Sequence, residues 1–117
     1  IDGGPIYTRA KMLTLAEGAC LQLWSNGSIK DAAKWNLTTV DLADLLTLAL
    51  QSGRFRSSEW CRQKPNGPWA ACDAYTVTRL EWNTAAHKEF EITYYFKVAV
   101  SKTGKLLLSA SNHPEGT

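Results

Sequence analysis

The sequence predicts an α+β domain: about three amino-terminal helices packed on one face of a three- or four-stranded antiparallel sheet. Three observations carry this. Apolar residues in the first half recur at helical spacing, with helix-capping residues between the runs. The second half switches to strict apolar–polar alternation. Helices come first and strands follow, the order of segregated layers rather than of alternating β–α units.

The first helix is expected over Tyr7–Trp24, where Met12, Leu13, Ala16, Cys20, Leu23 and Trp24 form one stripe. Asn26-Gly27 then stops it, both residues tolerating the left-handed conformation of a helix end. Ser28 is a cap for a second helix, Ile29–Trp35, with Asp31 in its first turn. Thr38 caps a third, and Thr38-Thr39-Val40-Asp41 has the spacing of a reciprocal capping box with Asp in place of Glu. Leu42, Leu45, Leu46 and Ala49 give that helix a buried face, and Gly53 closes it.

From Phe90 to Val100 the even positions read Phe, Ile, Tyr, Phe, Val, Val, so this segment is a long strand with one face on the core. A turn with Gly104 follows, and Leu106–Asn112 returns as the hairpin partner. Ala74–Trp82, rich in β-branched and aromatic residues, is a third strand. Arg54–Trp60 is a shorter fourth, nearer an edge.

A chain of 117 residues makes one domain, residues 1–117, with a helical half at 6–53 and a strand half at 54–112. With 44% hydrophobic residues it has material for a core without needing a metal. The first four residues, Ile1–Gly4, are set aside from the fold argument as a segment of open origin. A net charge of +2 is too small to argue for nucleic acid or an anionic membrane, and no apolar run is long enough to span a bilayer. The sequons at Asn26 and Asn36 lie at helix junctions and carry little weight.

Helices followed by a long-stranded meander is similar in element order to the NTF2-like and cystatin-like cone folds. The likeness is one of order, with no motif behind it. It implies a pocket between sheet and helices, for which Asp73 or Glu81 would be the polar group and Tyr94 and Phe96 the lining.

Cys61 and Cys72 bracket the turn Pro65-Asn66-Gly67-Pro68, which must reverse the chain. A disulfide between them is expected, worth on the order of 3 kcal/mol and implying an oxidising compartment. The alternative is two reduced thiols, one or both packed in the core. Cys20 falls on the apolar stripe of the first helix and is expected to pack there. No metal site is expected, because no local pair of ligands exists for zinc, and no cofactor. His87 and His113 have no linked nucleophile or orienting carboxylate, so an enzyme is not the leading expectation. The second and third helices have helix-turn-helix spacing, but the would-be reading helix, 38–50, carries two aspartates and no cation.

One charge feature stands out. From Gly53 to Lys64 there are four cations against Glu59 alone, a net +3. Arg54, Arg56, Trp60, Arg62, Lys64 and Trp69 therefore form a candidate partner-binding set, since arginine beside exposed tryptophan is the composition of interface hot spots. The competing explanation is an edge strand protected by charge. The leading expectation is a small non-enzymatic protein-binding module, exported to the periplasm or beyond. Its partner would be another protein with an acidic surface, as for a secretion accessory or a toxin-neutralising (immunity) protein. A pocket domain acting on a small molecule is the alternative, and a cytoplasmic single-stranded nucleic-acid binder the third. A long edge strand also leaves a homodimer open.

Overall fold

The computed structural model describes residues 1–115. Its elements are α1 (Arg9–Glu17), β1 (Leu21–Leu23), α2 (Asn26–Lys34), α3 (Thr39–Ser52), β2 (Arg54–Arg62), β3 (Trp69–Asn83), β4 (Lys88–Val100) and β5 (Leu107–Pro114). The class is α+β with three helices, as expected. The sheet is not. It has five strands in the order β1-β5-β4-β3-β2, and it is mixed, because β1 runs parallel to β5.

That extra strand comes from the segment read as the end of the first helix. Thr8 caps α1 by accepting from the Lys11 amide, but the helix stops at Gly18, and Ala19 takes φ 54°. The chain then extends, and Leu21, Gln22 and Leu23 pair with Leu107, Leu108 and Ser109. Cys20, Leu21, Leu23 and Trp24 suit an apolar helix stripe as well as a short strand. The pairing partner 86 residues downstream decides between them.

α2 begins three residues earlier than expected. Ser25 is the cap: its hydroxyl accepts from the Ser28 amide, while the Ser28 hydroxyl accepts from the Ser25 amide. The Ser25 hydroxyl also donates to the Ala110 carbonyl, so tertiary contact selects the earlier serine. α3 begins as predicted, with Thr38 and Asp41 satisfying each other's amides at 3.1 and 2.9 Å. It ends at Gly53, where a Cβ would lie 2.4 Å from the Thr76 carbonyl oxygen and 2.5 Å from that of Ala49. Glycine is needed there for close approach, not for a positive φ.

α1 and α3 pack on each other, α3 lies over β3, and α2 packs against β5. The core joins Met12, Leu15 and Ala16 of α1 and the buried leucines of α3 to Tyr75, Val77, Tyr94, Phe96, Val98 and Leu107 of the sheet. The alternation of β4 is thus realised at its centre, where Tyr94, Phe96 and Val98 are buried. Phe90, at the distal end of the strand, is 38% exposed. β3 is longer than predicted and includes Trp69–Cys72 as well as Asp73–Asn83.

Asp73 is fully buried on β3. Its carboxylate accepts from the Ile6 amide (2.9 and 3.0 Å), the Tyr7 amide (2.9 Å) and the Ser58 hydroxyl (2.6 Å). The Ile1 ammonium donates to the Ser58 carbonyl at 2.9 Å. The amino-terminal segment is therefore held at both ends, Ile1 on β2 and Ile6 and Tyr7 on β3. Arg9 ties α1 to the end of α3 by donating to the Leu50 carbonyl, and its guanidinium lies 5.1 Å above the Tyr75 ring.

Candidate interaction surface

β2 is an outer strand with a sheet neighbour on one side only, and it carries most of the predicted partner-binding set. In register, Trp60 faces Ala71 and Arg62 faces Trp69, so these side chains share one face of the β2–β3 hairpin. The Arg62 guanidinium stacks 4.3 Å from the centroid of the Trp69 ring. Trp60 and Trp69 are 62% and 54% exposed, which is unusual for the largest apolar side chain. Between them lies an open groove of about 410 Å³, lined also by Tyr7, Trp24, Val100 and Lys102.

The turn that carries Lys64 is built by backbone chemistry. Pro65 precedes Asn66, which takes φ 61°, and the Gly67 amide donates to the Lys64 carbonyl at 2.8 Å. A positive φ at that third position is what a type II turn requires. The Gln63 carbonyl accepts from the Asn26 amide at 2.9 Å, pinning the hairpin to the start of α2.

The six predicted residues do not form one patch. Trp60, Arg62 and Trp69 gather at the groove, with Lys64 exposed in the adjoining turn. Arg54 and Arg56 lie at the other end of β2, roughly 20 Å away along the strand. Arg56 is the extra residue of a bulge between Phe55 and Ser57. It lies 3.9 Å from Glu115, and with Arg54 it lines a separate depression beside Gly53, Thr76 and Thr93. No local pattern announces Tyr7, Trp24 and Lys102 as neighbours of Trp60. A single helix over Tyr7–Trp24 would hold the first two at its opposite ends, and the break at Gly18 brings both to the groove.

The disulfide expected between Cys61 and Cys72 is not formed; all three cysteines are free. Cys61 faces Ala70, and Cys72 faces Glu59, so the two are diagonal neighbours on one face instead of a directly opposed pair. Both nevertheless belong to one packed group: Cys61 packs against the cluster that Cys72 forms with Ala99 and Ala110, and the Cys72 thiol donates to the Ala70 carbonyl at 3.7 Å. Interaction with the neighbouring Cys72 thiol is the main reason the Cys61 thiol is pulled down to about 7, with the Lys97 ammonium helping and burial and Glu59 opposing. The same interaction pushes the Cys72 thiol strongly up, burial adding to it. Lys97 on β4 reaches Glu59 on β2 at 2.6 Å, across β3. The side chains of β3 between them on that face, Cys72 and Ala74, are small enough to let the pair bridge two strands. Cys20 is half-buried beside the Gly18 carbonyl and packs against the core.

The residues expected for a cone-type pocket are divided. Asp73 is committed to the amino-terminal segment and Phe96 fills the core, whereas Glu81 and Tyr94 both line an open depression of about 410 Å³ together with Trp35, Ile92 and Pro114. Glu81 is at the far end of β3, accepting from the Tyr94 hydroxyl at 2.6 Å and from Arg79 Nε at 2.9 Å. Burial and that carboxylate push the Tyr94 phenol up to about 12. His87 lies in the β3–β4 turn with φ 51°, and His113 faces Tyr95 across β4 and β5 with ring centroids 5.6 Å apart. Among the described residues no group of three or more potential ligands converges on a metal position, and no helix is long and apolar enough to cross a membrane.

No family model, no curated protein and no solved structure matches this chain.

Proposed function

We propose that the protein is a small non-enzymatic binding module that docks an acidic segment of another protein along β2. The observation that carries this is the pairing of two largely exposed tryptophans, Trp60 and Trp69, across a groove on an outer strand. Aromatic anchors of this kind supply most of the energy of a protein interface when a partner desolvates them. An outer strand accepts an extended segment by main-chain pairing, and Arg62 and Lys64 supply the charge for carboxylates. Export was expected from a disulfide. With the thiols free that physical basis is gone, and the proposal names no compartment. A secretion accessory and a toxin-neutralising protein are both consistent contexts.

The test is capture of partners from extract of the source organism by the native protein and by the double variant Trp60→Ala/Arg62→Glu. The variant should lose a partner that the native protein retains. Its melting temperature should stay nearly the same, because exposed substitutions typically change stability by less than about 0.5 kcal/mol. If the variant captures the same partner equally well, the interface lies elsewhere.

One observation favours a second reading. The groove lining carries Lys102 and no carboxylate, and four aromatic rings from Tyr7, Trp24, Trp60 and Trp69 line it. Rings interleaved with cations also suit the bases and phosphates of a single-stranded nucleic acid. Salt-dependent retention on an oligonucleotide column, lost in the same double variant, would select that reading over a protein partner.

A further inference from the structure

The reverse face of the β2–β3 hairpin carries an arrangement that partner docking does not use. Cys61 and Cys72 are free, are diagonal neighbours on one face of the sheet and belong to one packed cluster with Ala99 and Ala110. They are unequal. Cys61 is half-buried and reachable from solvent, whereas Cys72 is 1% exposed. The Lys97–Glu59 ion pair spans the same face, with the Lys97 ammonium close enough to favour a negative sulfur at Cys61.

We propose that Cys61 and Cys72 form a redox-active dithiol that exchanges with low-molecular-weight disulfides, Cys61 attacking and Cys72 resolving. Accessibility assigns the roles, since only Cys61 can meet a ligand from solvent. In the first step the Cys61 thiolate attacks one sulfur of the small disulfide. A mixed disulfide forms, and the other half leaves as a thiolate. In the second step Cys72 gives up its proton to solvent and its sulfur attacks the Cys61 sulfur, expelling the second half as a thiolate. The protein loses two electrons and two protons, and the small disulfide is reduced to two thiols.

The surroundings connect the two steps. Before the first, the neighbouring Cys61 sulfur and burial hold Cys72 as a thiol. Capping Cys61 removes the negative charge beside Cys72, which makes the Cys72 thiolate easier to form. The charged and titratable groups on the face of the pair are Lys97, which favours thiolate, and Glu59 and Tyr95, which do not; Asp73, next to Cys72 in β3, points to the opposite face and also disfavours the Cys72 thiolate. Thiolate character at Cys61 thus depends on Cys72 and Lys97 together.

The experiment uses the full chain with Cys20→Ser throughout, so that only two thiols report. Each protein is incubated with oxidised glutathione and its intact mass is read without reductant. The Cys61/Cys72 protein should lose two hydrogens and keep no glutathione. Cys72→Ala should stop at a stable adduct of one glutathione on Cys61. Cys61→Ala should remain unmodified. In parallel, the alkylation rate of Cys61 by iodoacetamide is followed against pH, with a midpoint near 7 in the two-thiol protein and a higher one in Cys72→Ala. At pH 7 the two-thiol protein should react roughly fivefold faster, the gain in thiolate fraction being partly offset by lower intrinsic nucleophilicity. A stable glutathione adduct on the two-thiol protein, two persistently free thiols, or equal reactivity of the two cysteines would each overturn the proposal. The two-thiol measurements use neither Cys61→Ala nor Cys72→Ala, and the same intact-mass reading on the native chain checks that Cys20→Ser leaves the outcome unchanged, so they decide even if a single variant is unstable.

Discussion

At the scale of single residues, Asp73 shows how a buried charge earns its place. Four hydrogen bonds from three groups converge on its two oxygens, and all come from segments that need an anchor. Removing the carboxylate leaves the amides of Ile6 and Tyr7 and the hydroxyl of Ser58 without their acceptor. Asp73→Ala should therefore cost about 3 kcal/mol or more in denaturant unfolding. The specific sign is faster hydrogen exchange at the Ile6 and Tyr7 amides while the α3 amides stay protected. Exchange that rises uniformly would mean that Asp73 supports the whole core and not this clamp. In sequence, Asp73 is only a carboxylate following a cysteine. Its partners lie 15 and more than 60 residues away, and no local pattern announces them.

Gly53 shows the same dependence on distant atoms. A glycine at the end of a helix is read as a capping residue, and the residue is in the right place for that. Its reason is the Thr76 carbonyl, which leaves no room for a Cβ. Gly53→Ala should destabilise by about 1–3 kcal/mol, the usual cost of overpacking a site that cannot yield. A melting temperature unchanged by the substitution would show that β3 shifts freely away from the helix end.

At the scale of elements, local signals succeed where one segment satisfies its own backbone. The capping box of α3 is complete within four residues, so Thr38 and Asp41 could be assigned from sequence alone. It also gives that helix a defined pH response. Hydrogen bonds from the Thr38 amide and side chain hold the Asp41 carboxyl below its ordinary value. The carboxylate thus stabilises the helix fully above the unfolded value of about 4, and the contribution fades as pH falls through the lower folded value. Measured as the melting-temperature gap between the native protein and Asp41→Ala, the effect should be present at neutral pH and shrink on acidification below about pH 4. A gap that is the same at both ends of the titration would exclude the cap as its source. β4 is likewise legible, because its alternation is long and a single face meets the helices. The end of α1, the cap of α2 and the strand β1 were not. In each, a second arrangement suits the local residues equally well, and a contact with β5 chooses between them.

For the whole molecule, the outer position of β2 separates binding from stability. The largest exposed side chains of the candidate surface, Trp60 and Trp69, take no part in the main core, which is why the double variant is expected to lose its partner without unfolding. The charge run and the tryptophans were visible as composition. Their division into a groove end and a distant Arg54–Arg56 end follows from the length of β2 and its bulge. The sequence by itself determined the class of the fold, the self-contained caps, the hairpin turn at Pro65–Gly67 and the long central strand. These are properties of neighbours along the chain, and short-range geometry is enough to set them. Only the tertiary structure decided the fifth strand, the burial of Asp73, the meeting of Tyr7 and Trp24 at the groove, and the diagonal contact of Cys61 with Cys72. Each depends on strand register or on a hydrogen bond between distant segments. Such pairings are chosen by the packing of the whole chain, because the local residues are compatible with more than one of them.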